Sequence, residues 1–164
     1  MERTRIGIDR DLRPEWLDLA CSIAARGMEG DPARRAVFYA LEGEIPRADA
    51  YSARGKTVTI LRRIWLKVPD DVRPLRDEAA STLASVQQES RAAIHWAMML
   101  AAYPFFVDAA SVVGRLVTLN QAATRSEYNR RMRELWGQRS TVDRAANRAL
   151  HTMVALDVLQ HGED

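Results

Sequence analysis

Cysteine is almost missing from this sequence. Cys21 stands alone, so the chain has no internal disulfide and no cysteine metal site, and packing alone is expected to hold its framework. Lysine is nearly missing as well, with Lys56 and Lys67 against 22 arginines. The three histidines, His95, His151 and His161, are scattered, and no HxxxH or HxxE spacing surrounds His95, so a zinc site has no local support. Long apolar runs are absent too. The stretch closest to one, Ala92 to Val107, lies between Arg91 and Asp108, contains His95 and Pro104, and falls short of the about 20 residues that a spanning helix needs. It reads as a buried core helix, and no membrane insertion is expected. Met1 to Asp11 mixes acids and bases with no apolar targeting segment, so a cytoplasmic location is the expectation. There is no phosphate-cradling glycine loop, no dinucleotide fingerprint and no nucleophile elbow. Adjacent carboxylates such as Asp70 and Asp71 belong to turns and caps rather than to a converging acid–base pair. No catalytic residue, metal or cofactor is expected, and an enzyme is the disfavoured class.

What the chain does have is helical spacing. Its 164 residues are 47% hydrophobic and 28% charged, ordinary values for one globular domain with two lobes. Pro14 suits a first helical position, and Trp16, Leu19, Ala20 and Ile23 follow on one face until Gly27. Asp31-Pro32 opens a second helix. A third is expected from about Ala50 to Leu66, and a fourth from Pro74 to about Leu83. Ser85 then caps a long apolar helix through Arg91 to Tyr103, which Pro104 breaks before a further helix from Phe105 to Leu119. The fold class is all-α, a multi-helical bundle. Residues 1–84 form an N-terminal lobe and 85–164 a C-terminal lobe. Alternation compatible with strands occurs only at Arg5–Ile8 and Leu156–Gln160.

Residues 121–150 carry the sharpest signal. They hold seven arginines against Glu127, Glu134 and Asp143, a local charge of +4, whereas the whole chain carries +2. A general preference for arginine does not concentrate charge in this way. The segment also reads as a helix-turn-helix within residues 124–157. Tyr128, Met132, Leu135 and Trp136 make the inward stripe of its first helix, Gly137 ends that helix, and Ser140 or Thr141 caps the second. In the second helix Val142, Ala145, Ala146, Ala149, Leu150 and Met153 share one face, and Ser140, Arg144, Asn147, Arg148 and His151 share the other. Arginine matches guanine O6 and N7, asparagine matches adenine N6 and N7, and hydroxyls reach phosphate. Arg144, Asn147, Arg148 and His151 are therefore expected to face a major groove. Arg130, Arg131, Arg133, Arg139, Ser140 and Thr141 are expected to hold phosphates. Only one short strand is available after the second helix, so a winged-helix-like wing is expected to be short or absent.

The order of features resembles the BrxA-like proteins of bacterial phage-exclusion (BREX) systems. The shared pattern includes the early helix from Trp16 to Arg26, the string from Lys56 to Trp65, and the apolar helix with Trp96 leading to Tyr103-Pro104-Phe105-Phe106-Val107-Asp108. It ends with Arg139-Ser140-Thr141-Val142-Asp143-Arg144-Ala145 running on to Val158-Leu159. The resemblance implies a small helical accessory of phage defence that binds double-stranded DNA, works beside other defence proteins, and has no catalytic residues. Two other readings stand beside it. One is a helical adaptor that binds proteins and not DNA. The other is a repressor-like transcription factor that reads a palindromic site as a dimer.

Overall fold

A computed structural model describes residues 6–46 and 52–160. Among the described residues it is all-helical, with α1 (Pro14–Ala25), α2 (Gly30–Ala40), α3 (Ala53–Leu61), α4 (Arg73–Leu83), α5 (Gln88–Ala102), α6 (Pro104–Asn120), α7 (Arg125–Trp136) and α8 (Ser140–Ala155). The expected strands are not found there. Ile6–Asp9 has no regular structure, and Leu156–Gln160 is an irregular turn. At that turn Asp157 takes a positive φ and the Val158 N–H returns to the Met153 carbonyl, which curls the chain back on its own helix. No wing strand follows α8 among the described residues. Arg5, Ala50 and His161 lie outside them.

The chain forms two compact units. One is Leu12–Ala102; the other joins Met1–Asp11 to Tyr103–Asp164. The division therefore falls after α5, not between residues 84 and 85 as the sequence suggested. Pro104 stands next to this boundary and breaks the helix there. It has no N–H and disfavours helix at the residue before it, so Tyr103 turns extended at φ −132° and ψ 101°. Helix α5 then stays with α4, against which it packs.

In the Leu12–Ala102 unit, α1 is the central strut. Leu17, Ala20 and Cys21 are buried on it, and α2, α4 and the end of α3 pack around it. The third helix does not run evenly to Leu66. From Arg62 to Leu66 it widens into a π-helical turn that buries Ile64, Trp65 and Leu66. Two arginines are buried structural pins. Arg54 donates to the carbonyls of Ile45 at 2.6 Å and Pro46 at 2.8 Å and lies over the Phe38 ring. Arg76 donates to the Trp65 carbonyl at 3.2 Å and to Asp77 at 2.6 Å. Part of the arginine excess is thus consumed inside the fold, where a planar fork satisfies several carbonyls at once. Burial, helped by the nearby Asp18 carboxylate, pushes the Cys21 thiol up to about 12, so it stays protonated and inert.

His95 is the buried polar group of α5. Its Nε2 lies 2.9 Å from Asp18, which also accepts from Arg91 at 3.2 Å, and its ring meets Trp65 edge-on at 5.6 Å. Its Nδ1 is buried with no partner. A neutral ring donating from Nε2 fits this site, because a second N–H would be buried without an acceptor. Burial first, and the Arg91 charge in support, lower its pKa below the usual value of about 6.5, against the pull of Asp18. The unfolded chain therefore binds the proton more readily. Stability from this group is present above about pH 6.5 and falls as the medium is acidified through that value. Lowering the pH from about 7.5 to about 5.5 is expected to lower the melting temperature, and His95→Gln, which retains a donor for Asp18, is expected to flatten that slope. Equal slopes in the two proteins, followed by circular dichroism, would remove His95 as the cause.

Candidate nucleic-acid interface

The three C-terminal helices are tied by aromatic and small residues. Phe105 at the start of α6 meets Trp136 at the end of α7 at 5.0 Å, and the Trp136 indole N–H donates to Asp108 at 2.9 Å. The Thr124 hydroxyl caps α7 by accepting from the Glu127 N–H at 3.3 Å. Tyr128, Met132 and Trp136 are buried as the spacing required, whereas Leu135 is only half-buried. Gly137 ends the helix at φ +87°, a backbone angle that a β-carbon would strain, and its N–H returns to the Arg133 carbonyl at 2.8 Å. Residues 137–139 then lead straight into α8. On α8 Val142, Ala145, Ala146 and Ala149 are fully buried and Met153 is nearly so. The alanines allow α7 and α8 to approach closely, and the Tyr128 hydroxyl donates across the gap to the Ala146 carbonyl at 3.2 Å. Burial pushes the Tyr128 pKa upward and keeps this donor protonated.

The start of α8 differs from the expectation. Neither Ser140 nor Thr141 is its cap. Arg139 occupies that position in extended conformation (φ −137°, ψ 142°), and its carbonyl accepts from Val142 and Asp143. Ser140 and Thr141 are the first helical residues, and both are exposed. Their backbone N–H groups precede the helix ladder and have no acceptor within it. The Arg139 side chain is exposed and donates to the Trp136 carbonyl at 2.9 Å, closing the connection.

The ten expected site residues separate into three groups. Arg139, Ser140, Thr141 and Arg144 are exposed, and among the described residues no carboxylate lies within ion-pair distance of either arginine. Arg144 and Thr141 border a shallow hollow with Ile6, Gly7 and Asp9. Arg130 and Arg131 are exposed but share Glu134, at 3.3 Å and 3.1 Å. They are partly neutralised and remain open to solvent.

The remaining four are placed otherwise than expected. Arg133 is held in a two-point ion pair by Asp143, at 2.6 Å and 3.0 Å, bridging α7 and α8. That contact drives the Asp143 carboxyl below its ordinary range and raises the Arg133 guanidinium. Arg148 donates to Asp11, and His151 Nδ1 lies 3.2 Å from the same carboxylate. Asn147 turns its amide onto its own helix: Nδ2 donates to the Asp143 carbonyl at 2.9 Å, and Oδ1 is buried with no partner. An adenine edge needs both of those atoms free. The physical reason is common to all four. A polar side chain on the outer face of a helix takes the nearest acceptor, and Asp11, Asp143 and the α8 backbone are near. Asp143 was visible in the sequence as a flanking acid. Asp11 was not, because 137 residues separate it from Arg148 and no local pattern announces the pairing.

Among the described residues, no cluster of histidine, cysteine, aspartate and glutamate comes together as a metal site, and no helix is long and apolar enough to cross a membrane. Comparison with family models, curated proteins and solved structures finds no match.

The Tyr128–Ala146 contact sets the spacing of the two helices that carry these residues. Tyr128→Phe removes one buried hydrogen bond at unchanged shape and is expected to lower the unfolding free energy by about 1 kcal/mol. Urea denaturation followed by tryptophan fluorescence reads the change, and an unaltered midpoint would show that the bond contributes nothing.

Proposed function

We propose that this chain binds double-stranded DNA through the first two turns of α8. The observation that carries the reading is the quartet Arg139, Ser140, Thr141 and Arg144. These residues are exposed together at one helix end, and among the described residues neither arginine has a carboxylate within ion-pair distance, with Asp9 sharing the hollow beside Arg144. The free first-turn N–H groups and the two hydroxyls suit phosphate oxygens, and the guanidinium of Arg144 suits either a phosphate or a guanine edge. Arg130 and Arg131 contribute at the flank, at the cost of dividing their guanidiniums between Glu134 and the ligand. Arg133, Asn147, Arg148 and His151 hold the fold of this region and are not counted as base readers. In the BREX-like setting that the sequence resemblance implies, this activity is that of a DNA-binding accessory to phage defence.

The reading makes a smaller electrostatic footprint than the sequence alone suggested. With Arg139 and Arg144 as the cations at this helix end that have no ion-pair partner among the described residues, about two phosphates are neutralised, and log K is expected to fall against log salt with a slope of about −2. Fluorescence anisotropy with a labelled random duplex of about 25 base pairs measures it, a length of roughly two and a half helical turns. Arg139→Ala with Arg144→Ala is expected to weaken binding by about tenfold or more, while Arg133→Ala changes it less. Affinity unchanged in the double variant would remove α8 as the interface. No retardation of duplex at micromolar protein and low salt would favour the protein-binding adaptor instead.

A further inference from the structure

Helix α6 carries a row that the DNA reading leaves unused. Val112, Arg115, Leu116 and Leu119 recur at spacings of three and four along it, and they face Arg131, Glu134 and Leu135 of α7 across a groove of about 380 Å³. Val112 and Leu116 are buried, but the row ends on Leu119, which is 78% exposed, the most exposed large apolar side chain among the described residues. A leucine left this open at the mouth of an apolar groove resembles the anchor position of a helix-in-groove interface, where a partner's apolar residues enter at helical spacing.

The rim selects the partner. Arg115 is exposed on one bank, with no carboxylate within ion-pair distance among the described residues, and Arg131 is exposed on the other, where Glu134 is already divided between Arg130 and Arg131. The groove is thus apolar along its floor, and its edges carry Arg115 and Arg131 against the single carboxylate of Glu134, which Arg131 shares with Arg130, so they are net positive. A second copy of this chain would bring two rims of the same net positive charge together, which like-charge repulsion disfavours. A nucleic acid would satisfy the guanidiniums but leave Leu119 in water. We propose that the α6–α7 groove docks an amphipathic helix of a partner protein whose apolar stripe is flanked by Asp or Glu. The partner's leucines cover Leu119, Leu116 and Leu135, and its carboxylates meet Arg115 and Arg131.

The proposal does not depend on DNA binding and is tested separately from it. The probe is a fluorescein-labelled helical peptide with Leu at i, i+4 and i+7 and Glu at the flanking positions, with a second peptide carrying Lys in place of Glu. Anisotropy at low salt is expected to show saturable binding of the Glu peptide, about tenfold tighter than the Lys peptide. Leu119→Glu is expected to weaken it by about tenfold and Arg115→Glu by several-fold, and both changes sit on exposed side chains, so the melting temperature should stay near that of the parent. Equal binding of the two peptides, no binding of either, or binding indifferent to Leu119→Glu would overturn it. So would a concentration-dependent dimer in sedimentation that Leu119→Glu abolishes, since a second copy would then be the occupant. Competition for the site by a DNA duplex that is likewise lost in Leu119→Glu would assign the groove to nucleic acid and also overturn it.

Discussion

The close contact of α7 with α8 is the constraint from which the C-terminal region follows. Ala145, Ala146 and Ala149 are fully buried, and a residue with more than a methyl group at those positions would push the helices apart. Because the alanines commit one face of α8 inward, the opposite face must turn outward, and the polar residues on it must find water, an acid or a ligand. Tyr128 and Trp136 then hold the helix spacing through one hydrogen bond each, to Ala146 and Asp108. Gly137 permits the short connection that brings Arg139 and Ser140 to the head of α8.

Arginine has two uses in this chain. Arg54 and Arg76 are buried, with their forks on backbone carbonyls and neighbouring acids, and they tie the α2–α3 connection and the π-helical turn of the Leu12–Ala102 unit. Arg133 and Arg148 serve a similar end in the other unit, through Asp143 and Asp11. Lysine, a single point charge, cannot satisfy several acceptors in one plane. The arginines left over, Arg115, Arg139 and Arg144 among them, are the cations open to a ligand. Exposed ion pairs contribute little to stability, so the consequence of the Arg133 and Arg148 pairs is geometric. The Arg148 pair withdraws positive charge from the outer face of α8, the Arg133 pair ties α7 to the Asp143 carboxylate of α8, and the exposed Arg139 and Arg144 lie at the first turns of α8.

Helix content, the break at Pro104 and the inward stripes of α7 and α8 were readable because each rests on local physics. Proline position, glycine at a helix end and apolar spacing of three and four act within a few residues. Val142, Ala145, Ala146, Ala149 and Met153 are buried as that spacing demanded, and His95 is buried in the apolar helix with its Nε2 on Asp18. The π-helical widening at Arg62–Leu66 had no local mark in the sequence, and it buries Ile64, Trp65 and Leu66. The cap of α8 was misplaced by one or two residues. Ser140 and Thr141 have the right side chains, but the connection from Gly137 leaves the extended angles to Arg139.

The sequence alone determined most of the residues of the last two helices that turn inward, because an apolar stripe at helical spacing has one way to leave water; Leu135 and Leu150, placed on those stripes, are only half-buried. It also determined the excess of arginine in that segment. It did not determine which arginines stay free, since a charge is neutralised by whatever acid the folded chain brings near it, and that acid can lie anywhere along the sequence. Only the tertiary structure placed Asp11 against Arg148 and His151, Asp143 against Arg133, and no acid, among the described residues, within ion-pair distance of Arg139 or Arg144.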